Sequence, residues 1–213
     1  LDGFDEDIEN FVASDKISPP PKHEFLFIGS SSIRLWSTLQ KDMSPLKVIN
    51  RGFELGLLAI PFSEEQGGLG GGHTDLSLIF EEFGKAIVVE PYLANVVLAG
   101  GVLKRSNLEN ADELIAGIVS GESQISLANY EPMKGFNLDN VDATISSDGQ
   151  INGTKSTVLN AGNADHFIVF GKSSDGYAFG LVNRSSDGVK VVNYKTYDGF
   201  VSGDLVLENC KCD

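Results

Sequence analysis

Four Asp-Gly pairs punctuate the last third of this 213-residue chain, at Asp148-Gly149, Asp175-Gly176, Asp187-Gly188 and Asp198-Gly199. Glycine enters the φ > 0 conformations of tight turns and aspartate bonds its own turn backbone, so such pairs reverse a chain between strands. Between and around them lie short β-branched or apolar runs: 125–128, 142–146, 157–159, 167–170, 178–182, 189–192 and 205–207. Strands of this length and spacing predict a small antiparallel barrel or sandwich from about Gln124 onward.

Upstream the period changes from two to 3.6. Leu76, Ile79, Phe80 and Phe83 recur at i, i+3, i+4 and i+7, with Thr74 or Asp75 placed to cap the helix and Gly84 near its end. A second helix is predicted from about Tyr92 to Arg105, with Leu93, Val96, Val97 and Leu103 mostly on one face. A third runs from Asn110, with Glu113 three residues on, to Gly121. Before them, 54–58 reads as a helix end leading into a glycine-dense loop, 61–72. That loop lacks G-x-x-x-x-G-K-[ST] and correctly spaced G-x-G-x-x-G, so local evidence makes it a connection between helices rather than a phosphate cradle.

The first fifty residues differ again. Pro19-Pro20-Pro21 stops any helix. Phe25 to Ile28 suits a buried strand, Gly29-Ser30-Ser31-Ser32 a turn, and Ile33, Trp36 and Leu39 one face of a helix before a short strand at Val48-Ile49. The expected fold class is therefore α+β: a short α/β-like segment, a partial N-terminal helical bundle, then an antiparallel β-barrel or sandwich domain. The expected divisions are 1–53, 54–122 and 123–213.

A net charge of −14 argues against nucleic acid or an anionic membrane as partner, since both need clustered Lys and Arg. It leaves open an anion held by local backbone N–H groups. Cys210 and Cys212 make a poor disulfide frame and at best half a metal site, so no metal is expected, and reduced thiols point to a cytoplasmic protein. No run reaches the roughly 18 apolar residues of a membrane span. The acidic start is wrong for a targeting peptide, and a first residue other than Met with a polar end suggests two cut edges.

Several phrases then occur in an order that resembles the acyl-CoA dehydrogenases. Gly56-Leu57-Leu58 precedes Pro61-Phe62-Ser63-Glu64-Glu65-Gln66-Gly67-Gly68-Leu69-Gly70, and Glu81-Glu82-Phe83-Gly84-Lys85 follows. Val89-Glu90-Pro91-Tyr92-Leu93 is similar to a divergent, small-subunit-like branch of that family. In the β region Glu131-Pro132, Gly135, Asn152-Gly153-Thr154-Lys155 and Ala164-Asp165 keep the family's order. The resemblance implies FAD as cofactor and Leu127, Asn129, Tyr130, Gly135, Phe136, Thr157 and Leu159 as residues against it. Tyr130 and Phe136 stand where the family has a threonine and a serine, and Thr157 and Leu159 where it often has an aromatic residue and a threonine.

The family removes the α proton of an acyl-CoA thioester with a carboxylate while the β hydride passes to flavin. It also implies a homo- or hetero-oligomer of acyl-CoA dehydrogenase subunits. In the family the base comes from a C-terminal helical domain, so no catalytic residue is expected within this chain. Glu64, Glu65, Glu81, Glu82 and Glu131 are read as solvated, capping or turn-supporting groups. By contrast, Phe25 to Trp36 and Val48 to Phe53 resemble the start of a GDSL/SGNH esterase, which would make Ser31 a nucleophile. His23, His73 and His166 provide none of the Asp-x-x-His that such an enzyme needs. An ester hydrolase fragment and a non-catalytic flavin-binding module are the alternatives, with the join expected near Phe53-Glu54 and few contacts from 1–50 to the rest.

Overall fold

A computed structural model of the chain describes residues 25–27, 48–50, 56–135 and 137–212. Ser31, the helix expected after Gly29, the join near Phe53-Glu54 and Phe136 lie outside them, as do most of the residues on which the expected contacts of 1–50 depend. The chain divides into two compact units, Leu1–Leu57 and Leu58–Asp213. In the first, β1 (Phe25–Phe27) and β2 (Val48–Asn50) pair in parallel, Leu26 opposite Ile49. A parallel pair needs a crossover connection, in keeping with the α/β-like pattern of that segment.

The second unit begins with a 3₁₀ turn, Leu57–Ala59, and continues through a second, Glu64–Gln66. Three helices follow: α1 (His73–Ala86); α2, a π-helical segment Leu93–Ala99 running into the α-helical turn Gly100–Leu103; and α3 (Ala111–Ser120). Gly72, rather than Thr74 or Asp75, is the N-cap of α1; Asp75 sits three residues inside and accepts the Gly72 N–H at 2.8 Å. Gly121 ends α3 in the left-handed conformation at φ 77°, where a side chain would be strained.

The 61–72 loop is a folded object. Phe62, 1% exposed, fills its centre, and a Cβ on Gly100 would stand 2.6 Å from the Phe62 ring. Gly68 N–H donates to the Ser63 carbonyl at 2.8 Å, Gly70 N–H to Phe62 at 2.7 Å, and Gly71 N–H to Ile60 at 2.7 Å. The glycines are there because backbone crosses backbone: a Cβ on Gly68 would meet the Phe62 carbonyl oxygen at 2.1 Å. Lys104 Nζ, donating to the Pro61 carbonyl at 2.7 Å, ties the loop to the end of α2.

Seven strands build the β domain: β3 (Ile125–Ala128), β4 (Thr144–Ile145), β5 (Gln150–Leu159), β6 (His166–Ser173), β7 (Gly176–Asn183), β8 (Val189–Lys195) and β9 (Val201–Lys211). The order is β3-β6-β4-β5-β9-β8, with β7 on the other edge of β6. Three of the Asp-Gly turns close antiparallel hairpins, β4–β5, β6–β7 and β8–β9. The turn at Asp187-Gly188 instead carries the chain away from β7, because β8 pairs with β9. The sheet is mostly antiparallel, but β3 and β4 both pair in parallel with β6. The β3–β4 connection therefore leaves the sheet and returns to the same edge of β6.

Side chains alternate accordingly. Phe167 and Val169 of β6 join Ile151, Val158, Val182, Leu205 and Leu207 in one core. Phe170, pointing the other way, packs with Val141 and Ala143 of the β3–β4 connection. Each such side chain removed from water contributes about 1.5–3 kcal/mol.

Candidate functional site

The β3–β4 connection, residues 129–143, is anchored at its root by an ion pair. Lys155 Nζ lies 2.7 Å from Glu131 Oε1, with side-chain exposures of 0% and 4%. The same carboxylate accepts backbone N–H groups from Asp142 at 2.7 Å and Ala143 at 2.9 Å. Burial pushes the Glu131 carboxyl up, but Lys155 and the two amides outweigh it and hold the group below the ordinary glutamate value. Burial is likewise the largest influence on Lys155 and draws its ammonium down, with Glu131 opposing.

The Asn-Gly-x-Lys phrase makes this arrangement possible. A Cβ on Gly153, at φ 147°, would lie 2.7 Å from the Ala143 Cβ, so only glycine lets β5 approach the returning connection. Asn152 Oδ1 accepts the Asn209 N–H at 2.8 Å where the β5–β9 register slips. The Ala-Asp phrase has an equally architectural role: Asp165 accepts the Gln124 N–H at 2.8 Å and so fixes the start of β3. Asn95, buried in the π-helical part of α2, accepts the Ile125 N–H at 2.8 Å and seats that strand under the helix. Nothing in the apolar run around Asn95 marked it from sequence except its being the polar residue there.

Above the root the connection opens to solvent. Met133 and Gly135 both have left-handed backbones, at φ 62° and 64°, and among the described residues none beyond its chain neighbours comes within 4 Å of a Cβ placed on Gly135. Lys134 Nζ pairs with Asp142 at 2.9 Å across the turn. Alongside, Ser156 N–H donates to the Tyr130 carbonyl at 2.9 Å, which brings Tyr130 and the Ser156–Thr157 step of β5 together. Thr157 is exposed at φ 54°, a strained conformation for a β-branched residue. Leu159 is half-buried two residues on, while Leu127 and Asn129 are half-buried at the end of β3.

A groove of about 450 Å³ borders Leu127. Val97, Leu98, Gly101 and Val102 of α2 form one wall, with Leu127 and Phe179 opposite. Arg105 and Ser106 add polar groups from the end of the helix. The structure thus joins Tyr130 to Ser156, next to Thr157, and leaves Gly135 exposed, while Leu127 lies on the apolar groove. Among the described residues no group of three or more His, Cys, Asp and Glu could hold a metal ion. No described helix is long and apolar enough to cross a membrane.

A helical layer seated on a mostly antiparallel β domain, with a groove lined from both, defines a two-layer α+β protein. Residues 33–122 match the acyl-CoA dehydrogenase N-terminal domain. The chain is 31% identical over 164 residues to acyl-CoA dehydrogenase FadE28 of Mycobacterium tuberculosis, covering 76% of this chain and 45% of that protein. It resembles the ChsE4-ChsE5 complex of Mycobacterium tuberculosis with a TM-score of 0.66 and 30% identity, over 74% of this chain and 43% of that one. It also resembles an acyl-CoA dehydrogenase complexed with FAD from Bacillus anthracis, TM-score 0.66 and 25% identity, over 75% of this chain and 29% of that one. The chain belongs to the acyl-CoA dehydrogenase family.

It spans about half the length, or less, of the relatives it matches. The match beginning at residue 33 runs through part of the segment that resembles an SGNH esterase, so the ester-hydrolase alternative is not favoured.

Proposed function

We propose that this chain forms the helical and β-domain half of an FAD-dependent acyl-CoA dehydrogenase, which oxidises the α,β carbon–carbon bond of an acyl-CoA thioester. The observation that carries the reading is the meeting of Tyr130 with Ser156 at the Thr157 bulge, in a connection whose Gly135 has no described residue packed against its Cβ position. A flat heteroaromatic group needs such an open backbone edge, and the family member from Bacillus anthracis is a complex with FAD. Bound FAD supplies the hydride acceptor.

In this reading Leu127, Asn129, Tyr130, Gly135, Phe136, Thr157 and Leu159 hold the cofactor. Tyr130 and Phe136 bring no small hydroxyl of the kind the family uses, so backbone N–H groups carry more of the binding. The apolar wall of α2 orients the acyl chain and excludes water near the reacting carbons. In this reading the proton acceptor is supplied by a C-terminal helical domain of the kind the family carries. Glu131, the one buried carboxylate among the described residues, already serves Lys155 and two amides. A complex of two acyl-CoA dehydrogenase-type chains, as in ChsE4-ChsE5, is the expected working state.

The test is a titration of the purified chain with FAD, followed by flavin fluorescence quenching, then addition of an acyl-CoA in the presence of a downstream helical domain from a relative. Saturable FAD uptake and acyl-CoA-dependent bleaching are expected. An absence of FAD uptake both by the chain and by the reconstituted pair overturns the proposal.

A further inference from the structure

The strain at Thr157 has a specific support that no motif marks. Lys155 pairs with Leu205 and Val158 with Gly203, so Ser156 and Thr157 together face the single residue Asp204. Such a bulge leaves a backbone group without its ladder partner and bends the strand. Ser156 N–H turns to the Tyr130 carbonyl, and Thr157 N–H donates to Asp204 Oδ1 at 3.2 Å. Tyr194 Oη, diagonal to Asp204 across the β8–β9 ladder, donates to the same oxygen at 3.1 Å. A carboxylate side chain thus replaces the missing strand acceptor at the position where a β-branched residue is held at φ 54°.

Strained backbone persists only where its surroundings over-determine it, and it concentrates at ligand sites. Leu159 and Asn160 continue the same corner, Asn160 at φ 59°. Without the Asp204 oxygen, the Thr157 N–H loses its acceptor in the bulge, and an extended Thr157 turns its side chain and amide elsewhere. We infer that Asp204, steadied by Tyr194, is a positioning residue that holds the Thr157 bulge in the shape the flavin requires. The inference rests on the flavin reading above.

The experiment uses the full chain, titrated with FAD, and follows the Thr157 backbone ¹³C and ¹⁵N signals in parallel. Asp204→Ala is expected to move the Thr157 signals toward extended values and weaken FAD binding about tenfold, a change of about 1.4 kcal/mol. Asp204→Asn, which keeps an acceptor oxygen, should restore both readouts to within about threefold of the parent chain, and Tyr194→Phe should weaken FAD about threefold. Unchanged FAD affinity in Asp204→Ala overturns the inference, as does weakened affinity with the Thr157 signals unmoved. Should Asp204→Ala fail to fold, an unaltered FAD affinity in Tyr194→Phe overturns it instead. Failure of the flavin reading shows separately, as an unaltered chain that takes up no FAD, and it removes this inference with it.

Discussion

Two glycine-bearing loops in this molecule do opposite things with similar materials. The 61–72 loop closes on itself: its N–H groups find carbonyls within the loop or on Ala59 and Ile60 just before it, and Phe62 is buried in it. The 129–143 connection is locked at its root by the buried Glu131–Lys155 pair, while Gly135 near its tip is exposed. A loop whose backbone N–H groups are largely taken up by nearby carbonyls has little to offer a ligand. One that is rigid at its base and unfinished at its tip can meet a ligand without reorganising. The more glycine-dense loop is therefore the self-contained one, and the loop proposed to meet the cofactor has the ion pair.

The two largest effects expected from substitution are alike in size and different in kind. Phe62→Ala removes the centre of the first loop and should destabilise the chain by about 3–5 kcal/mol in chemical denaturation, the range for buried aromatic truncation. Lys155→Met leaves the Glu131 carboxylate buried without its cation and should cost about 3–5 kcal/mol. At a denaturant-free temperature where both variants remain folded, Phe62→Ala should keep its FAD affinity and Lys155→Met should lose it. Equal losses of FAD affinity in both would erase the distinction between the loops.

Acid offers a milder way to open the second loop alone. The Glu131 carboxyl lies below its unfolded value of 4.5. The unfolded chain therefore binds this proton more readily than the folded one, and the stability so contributed is full above the unfolded value. It is lost as pH falls through the folded value. Unfolding free energy should thus drop as pH falls below 4.5 in the parent chain, with this component absent in Glu131→Gln. Identical acid slopes in the two proteins would show that the pair is not the acid-sensitive element.

The sequence disclosed the two loops unequally, for physical reasons. Three Asp-Gly turns marked the β4–β5, β6–β7 and β8–β9 hairpins because a reversal is a local event. Parallel pairing of β3 and β4 with β6 left no local trace, since a short apolar run reads alike in either orientation. The Asn-Gly-x-Lys and Glu-Pro phrases were visible, but the 24-residue separation of Glu131 from Lys155 hid that they form one bond. Asp204 and Tyr194 were invisible because their role depends on a register slip of one residue in β5. The π-helical turn of α2 and the seat that Asn95 gives to β3 belong to the same class of tertiary facts.

The smallest effect divides the loops most cleanly. Gly67 and Gly135 both hold left-handed backbones, at φ 76° and 64°, and a Cβ on either meets nothing within 4 Å. Alanine at each position therefore suffers the same conformational penalty, about 1 kcal/mol, without a steric clash. Gly67→Ala and Gly135→Ala should lower stability by equal amounts in denaturant titrations. If open space at Gly135 is where a cofactor approaches the backbone, the methyl group there meets the ligand although it meets no protein atom. Gly135→Ala alone should then weaken FAD binding, by about tenfold. Matched stability losses with matched FAD affinities would mean that the open tip of the second loop is merely uncovered, and that its rigid root serves the fold rather than a ligand.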